Sequence, residues 1–250
     1  MKFIAIIPAR YASTRFPAKP LALLGGKPII QHVYERTSQA FDELCVATDD
    51  ERILSVVHQF GGRAVMTSSN HRSGTDRCYE AYSKLGSQAD VVVNVQGDEP
   101  FIHKEQLLAI AQCFNDPETE IATLVKPFPV NSSIGQIENP NSPKVVLDNE
   151  DFALYFSRSV IPYIRGIDRT EWPQHHRYLK HIGLYAYKTE TLRHIVSLPT
   201  SNLEQCESLE QLRWIQAGLR IKVGYTDIET IGIDTPEDLK RAEDFLHRTL

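Results

Sequence analysis

Over residues 1–125 the chain alternates short apolar runs with stretches whose apolar residues recur at helical spacing. The runs Phe3–Ile7, Glu43–Thr48, Ala64–Met66, Asp90–Gln96 and Ile121–Val125 are too short to be buried helices, and they are apolar on both faces, as strands of a covered parallel sheet are. Between them lie helical patterns at Pro28–Ala40, at Cys78–Leu85, at Glu105–Phe114 and after Thr48-Asp49-Asp50-Glu51, a capping box ahead of Ile53, Leu54, Val56 and Val57. Strand alternating with helix predicts an α/β fold: a Rossmann-like, mostly parallel sheet with helices on both faces. In such sheets ligands sit beyond the carboxyl ends of the strands.

The pattern changes after Pro127. Residues 128–143 are rich in Pro, Asn and Ser and read as a loop. Lys144–Leu147, Phe152–Ser157 and Lys180–Tyr187 then read as strands, with a polar excursion from Gly166 to Arg177. The expectation is one domain over residues 1–250 with a strand-rich, antiparallel insertion at about 128–190. A helix over Glu204–Gln216, strands at Ile221–Tyr225 and Thr230–Ile233, and a last helix complete it. Thr235-Pro236-Glu237-Asp238 opens that helix with a capping threonine, proline at the first helical position and acids in the first turn.

A net charge of −5 gives no bulk attraction for nucleic acid or anionic lipid, so a phosphate site has to be built locally. The four cysteines form no C-x-x-C pair, which argues against a zinc site or a disulfide scaffold and suits a reducing cytoplasm. The apolar N-terminal run is cut by Pro8 and Arg10, unlike a secretory signal, and no stretch approaches the roughly 20 apolar residues of a membrane span. The expectation is a cytoplasmic protein with no nucleic-acid or membrane partner.

Such a local site follows the first strand directly. The segment Pro8–Leu21 places Arg10, Arg15 and Lys19 at the expected ligand edge. A triphosphate carries about four negative charges and is cradled by guanidinium forks, an ammonium and free backbone N–H groups. Neither a G-x-G-x-x-G turn nor a P-loop is present, so this is a nucleotide site of neither common type. Two aspartates also stand at strand ends: Asp98 after Val91–Gln96, and Asp234 after Ile231-Gly232-Ile233. Two such carboxylates suit one magnesium ion, which takes few protein oxygens and completes its shell with phosphate and water. Aspartate is equally common in turns and beside helix N-termini, and the residues alone leave both readings open. The same holds for the polar segment His71–Arg77, where Ser73, Gly74 and Thr75 suit either backbone contacts to a base or ribose at a helix start or an ordinary helix cap. The polar face of 204–216 and His181 within its strand read first as solvated and core residues.

These motifs, in this order, resemble the sugar-acid cytidylyltransferases, nearest the members that activate the eight-carbon sugar acid 3-deoxy-manno-octulosonate (Kdo). The opening pattern is Ile7-Pro8-Ala9-Arg10 with Ser13, Arg15, Pro17, Lys19 and Pro20. The middle is Ser73-Gly74-Thr75-Asp76-Arg77 and Asn94-Val95-Gln96-Gly97-Asp98-Glu99-Pro100. The end is Leu209-Glu210-Gln211-Leu212-Arg213 and Gly232-Ile233-Asp234-Thr235-Pro236-Glu237-Asp238-Leu239. The resemblance implies the nucleotide-diphospho-sugar transferase type of fold and transfer of CMP from CTP to Kdo for lipopolysaccharide assembly. It places Pro8, Ala9, Arg10, Arg15, Lys19, Ser73, Gly74, Asp76 and Arg77 on CTP, and Asp98 and Asp234 on Mg²⁺. Lys19, Asp98 and Asp234 become the catalytic set, while Gln96, Arg158, His181, Glu210 and Gln211 line the Kdo pocket. It also implies a homodimer joined through the inserted strands. The implied reaction is in-line attack of the sugar hydroxyl on the α-phosphorus, with no nucleophilic side chain. Rival readings are activation of sialic acid, a nucleotide-sugar-dependent glycosyltransferase, and a nucleotide-binding regulator without turnover.

Overall fold

The computed structural model describes residues 1–12, 15–229 and 231–249. Ser13 of the opening motif and Thr230, first residue of the expected strand at 230–233, lie outside the described residues. The fold is α/β, with a mostly parallel sheet flanked by helices and some antiparallel strands, and the chain forms two compact units.

The first unit comprises Met1–Leu108, Ala186–Val196 and Glu229–Leu250. Its strands are β1 (Phe3–Ala9), a small antiparallel hairpin of β2 (Leu23–Leu24) and β3 (Lys27–Pro28), then β4 (Leu44–Thr48), β5 (Ala64–Met66) and β6 (Val91–Asn94). β1 pairs in parallel with β4 and β6, and β4 with β5, giving the order β6-β1-β4-β5. Ile4–Ile7 and Val91–Val93 are fully buried, which is why these runs lack the alternation of a half-solvated strand. Helices α1 (Ile29–Thr37), α2 (Glu51–Gln59) and α3 (Gly74–Leu85) pack on these strands through apolar stripes such as Ile29, Ile30 and Val33.

Three local readings change. Thr48 ends β4 and does not cap α2; the cap is Asp50, whose carboxylate accepts the Arg52 N–H. α3 begins four residues earlier than the apolar spacing predicts, because Ser73 accepts the Asp76 N–H and starts the helix on a polar turn. Ile231–Ile233 forms no strand. These residues are apolar because they pack with Leu24, Ile29, Phe101 and Ala242 in a core cluster. The following helix, Pro236–Thr249, opens as predicted: the Asp238 N–H donates to Thr235 Oγ1 and the Thr235 N–H to Asp238 Oδ2.

The second unit comprises Ala109–Tyr185 and Ser197–Ile228. It contains β7 (Ile121–Pro127), β8 (Lys144–Leu147), β9 (Ala153–Ser157), most of β10 (Leu179–Lys188) and β11 (Ile221–Tyr225). β11 and β7 are parallel, and β8 pairs antiparallel with both β9 and β10. Residues 128–143 are not simply a loop: Ser133 and Gln136 form a capping box that starts a short helix, Ile134–Glu138. Ile137 then packs with Trp172 and Tyr178, and Trp172 is buried within the otherwise polar excursion. The helix expected over Glu204–Gln216 is two, Asn202–Glu207 and Gln211–Gln216, broken where Ser208 adopts φ 50°. Arg158 supplies the reason. Its guanidinium donates to the carbonyls of Glu207 (2.5 Å) and Ser208 (3.2 Å), satisfying the end of the first helix. Among the described residues no helix is long and apolar enough to cross a membrane.

Candidate functional site

A cleft of about 270 Å³ opens in the first unit where β1 and β6 end. Its floor is held tight by glycine. A Cβ on Gly97 would stand 2.7 Å from the Pro8 carbonyl oxygen, and one on Gly74 would stand 3.3 Å from the Pro8 ring. Only a residue without a side chain lets the turn after β6 approach the end of β1 this closely. Pro8, Ala9, Arg10, Arg15 and Lys19 line the cleft from the β1 side, and Ser73, Gly74 and Arg77 from the start of α3. Gln96, Asp98 and Asp234 line it as well.

The two strand-end aspartates meet. Lys19 Nζ stands 2.7 Å from Asp98 Oδ2 and 3.1 Å from Asp234 Oδ1, so both carboxylates address a single cation position. Arg15 Nη1 takes the other oxygen of Asp234 at 3.1 Å. Lys19 is the most enclosed of the three groups, its side chain only 13% exposed. Asp234 is placed by two backbone contacts: the Ile233 N–H donates to the Asp98 carbonyl, and the Asp234 N–H to Asp238 Oδ2. Burial pushes the Asp238 carboxyl up, but bonds from Arg241 and from the Asp234 and Thr235 N–H groups outweigh it and leave it ionised below the usual range. Asp98 and Asp234 therefore fit a divalent ion, with the Lys19 ammonium standing in its place. Among the described residues no cluster of three or more His, Cys, Asp or Glu could hold a metal, so such an ion would need phosphate or water oxygens to complete its shell.

The remaining cations are of two kinds. Arg77 is 4% exposed and already engaged, donating to Thr67 Oγ1 at 2.6 Å and Asp49 Oδ2 at 2.8 Å. Arg10 and Arg72 are exposed and have no ion-pair partner among the described residues. Asp76, grouped with the nucleotide residues from sequence, is not on the cleft lining; its N–H donates to Ser73 Oγ. His71 and Arg72 line the cleft, although sequence reasoning gave them no role. The available signal was their place just before the Ser73 cap, at the same edge as the helix start.

Of the five residues grouped on the sugar, only Gln96 lies in this cleft. The other four belong to the second unit. There His181 is buried on β10 with Nε2 3.0 Å from Thr123 Oγ1, and burial pushes its ionisation down to about 3, so it is neutral at ordinary pH. A row of rings runs Phe156–His181–Tyr185–Trp214, each centroid 5.0 to 5.4 Å from the next. Trp214 shares its helix with Gln211, whose Nε2 is buried without a hydrogen-bond partner. Glu210 pairs with Arg213 at 2.7 Å. Arg158 makes three carbonyl contacts, two at the end of the helix Asn202–Glu207 and a third to the Pro140 carbonyl at 2.7 Å.

Residues 4–221 match the family model described as cytidylyltransferase. The chain is 64% identical over 246 residues to the 3-deoxy-manno-octulosonate cytidylyltransferase of Phocaeicola vulgatus, covering 98% of each. With the enzyme of the same name from Porphyromonas gingivalis it shares 55% over 243 residues, 97% of this chain and 96% of the other. A solved structure of CMP:2-keto-3-deoxy-manno-octonic acid synthetase complexed with CTP aligns at a TM-score of 0.91 and 42% identity, over the whole of both chains. The 4-diphosphocytidyl-2C-methyl-D-erythritol synthase of Anaerococcus prevotii, 16% identical with a TM-score of 0.62 over 99% of each chain, shares the fold.

Proposed function

The chain belongs to the cytidylyltransferase family, and from that premise we propose that it transfers CMP from CTP to the anomeric hydroxyl of Kdo, giving CMP-Kdo and pyrophosphate for lipopolysaccharide biosynthesis. The observation that carries this reading is the first-unit cleft, where cations and two converging carboxylates stand at the carboxyl ends of parallel strands.

In the free cleft Lys19 and Arg15 neutralise Asp98 and Asp234. An arriving triphosphate offers these cations more negative charge than the aspartates do, and draws them onto the β- and γ-phosphates. Arg10 and Arg72 are uncommitted and meet the phosphates without first leaving a partner. Ser73 and Gly74, at the N-terminus of the twelve-residue helix α3, offer backbone N–H groups and a favourable dipole. Asp98 and Asp234, once released, would hold Mg²⁺, which supplies polarisation of the α-phosphate and offsets the charge that builds up on departing pyrophosphate. The sugar hydroxyl oxygen then bonds to the α-phosphorus as the bond to the bridging oxygen of the β-phosphate breaks; pyrophosphate leaves with that oxygen, and the hydroxyl proton passes to solvent. Positioning and electrostatics carry most of the rate. Gln96 lines the cleft wall, which supports assigning it to the sugar acid.

Two further parts of the reading concern the whole protein. We assign it to the cytoplasm, where CTP is available. We also assign it a homodimer through the second unit's antiparallel strands. β9 has β8 as its only strand partner among the described residues, and Leu154 on it is 57% exposed. A strictly monomeric active enzyme on a sizing column would remove the dimer.

The test of the reaction is pyrophosphate release from CTP and Mg²⁺ with Kdo, beside the same assay with N-acetylneuraminate. Release with Kdo alone supports the proposal. Release with the nine-carbon acid instead would keep the chemistry and overturn the acceptor, and silence with both would overturn the reaction.

A further inference from the structure

The cleft wall supplied by residues 71–74 is not a free loop; it is held from behind by a residue two helical turns further along. Glu80 lies on α3, outside the cleft lining, and its carboxylate reaches back to the connection between β5 and α3. Oε2 accepts the Ser68 N–H at 2.8 Å and contacts Nε2 of His71. Oε1 pairs with Lys84 at 2.7 Å, and the same ammonium donates to the Met66 carbonyl at 2.9 Å. Burial pushes the Glu80 carboxyl up, but the bonds from Lys84, Ser68 and His71 outweigh it and bring it down to about 2, so it is an anion at any working pH. A carboxylate can only accept, so His71 donates through Nε2 and keeps one ring nitrogen, Nδ1, for any other partner. His71 is at the same time part of the cleft lining.

We propose that Glu80 is a positioning residue for nucleotide binding: it fixes the His71 ring against the cleft, so that bound CTP meets a wall already in its bound conformation. This rests on the reading of the cleft as the CTP site. Without the carboxylate, the ring and the Ser68 N–H lose their common anchor, and the wall has to be ordered by the nucleotide itself, which lowers affinity without touching the reacting atoms. Neither Lys19 nor the aspartates contact Glu80, so chemistry at saturating CTP is left in place.

The experiment is a double-mutant cycle on full-length protein, with CTP affinity measured by calorimetry and turnover measured alongside. Glu80→Gln and His71→Ala are each expected to weaken CTP about tenfold, and the double variant no more than His71→Ala alone, because one residue acts through the other. In Glu80→Gln, whose carboxylate lies outside the cleft lining, turnover at saturating CTP is expected to stay within about twofold of the parent. Unchanged CTP affinity in Glu80→Gln overturns the inference while leaving the cleft as the CTP site. Two effects that multiply to about a hundredfold also overturn it, because Glu80 would then act independently of His71. If Glu80→Gln loses its cooperative melting transition, Glu80→Asp takes its place in the same cycle. Parent protein that binds no CTP removes the functional reading itself, a result distinct from either.

Discussion

The two units treat polar side chains in opposite ways. In the first, the cleft charges neutralise one another across an open cleft: Lys19 on Asp98 and Asp234, Arg15 on Asp234. In the second, the polar groups serve the fold: half-buried Arg158 donates to three carbonyls, and buried His181 meets Thr123 among rings. A charge paired at the surface is exchangeable, because a ligand can replace the partner at little cost. A group that ties several backbone carbonyls together is less exchangeable, because its loss removes several charge-assisted hydrogen bonds at once. Changes in the first unit should therefore appear in catalysis, and changes at Arg158 and His181 in stability.

The sharpest test of that division is Asp98→Ala. It is expected to lower CMP-Kdo formation at least about a thousandfold while leaving the melting temperature within a few degrees of the parent. Loss of folding together with activity would erase the contrast. Arg158→Ala should do the reverse. Losing the three charge-assisted hydrogen bonds to the Glu207, Ser208 and Pro140 carbonyls is expected to cost about 3 kcal/mol in chemical denaturation. A stable Arg158→Ala protein with a raised KM for Kdo would instead return this residue to the sugar pocket that the family resemblance implies.

A smaller effect concerns pH. His181 resists protonation in the folded state down to about 3, whereas in the unfolded chain it titrates near its ordinary 6.5. Between these values the unfolded state binds the extra proton, so His181 costs stability progressively as pH falls below 6.5, and the loss levels off near 3. At pH 5 the deficit is about 2 kcal/mol, and His181→Asn should remove it from a comparison of denaturation midpoints at pH 7 and 5. Equal pH dependence in both proteins would mean that His181 is not enclosed as described. Smallest is the effect of Lys19→Met on metal binding without nucleotide. Removing the internal cation should tighten Mn²⁺ about tenfold, and unchanged binding would mean that the ammonium does not occupy the metal position.

Much of the first unit could be read from the chain because its signals are local. The runs at Phe3–Ile7 and Ala64–Met66 are apolar for the reason that the sheet requires, and strand-end geometry alone points to Arg10, Arg15 and Lys19. Apart from the local caps of α2 and α3, the misreadings share one cause, a distant partner that decides the outcome. Ile231–Ile233 has the composition of a strand, yet it is apolar because it packs on Leu24 and Phe101. The helix break at Ser208 depends on Arg158, which no periodicity within 204–216 can reveal. Ser73 is recognisable as a cap, but the anchoring of His71 by Glu80 needs the helix to turn twice before the carboxylate faces the loop. The meeting of Asp98 with Asp234, implied by the family resemblance, is not legible in the residues themselves, since 136 positions separate them.

The most direct measurement is a crystal structure with CTP and Mg²⁺ bound. The expected result is a triphosphate in the first-unit cleft, contacted by Arg10, Arg15 and Lys19, with the Lys19 ammonium gone from its position between Asp98 and Asp234 and the metal in its place. A nucleotide seated elsewhere, or one bound with Lys19 still joining the two carboxylates, would contradict the exchange of partners on which this reading of the cleft depends.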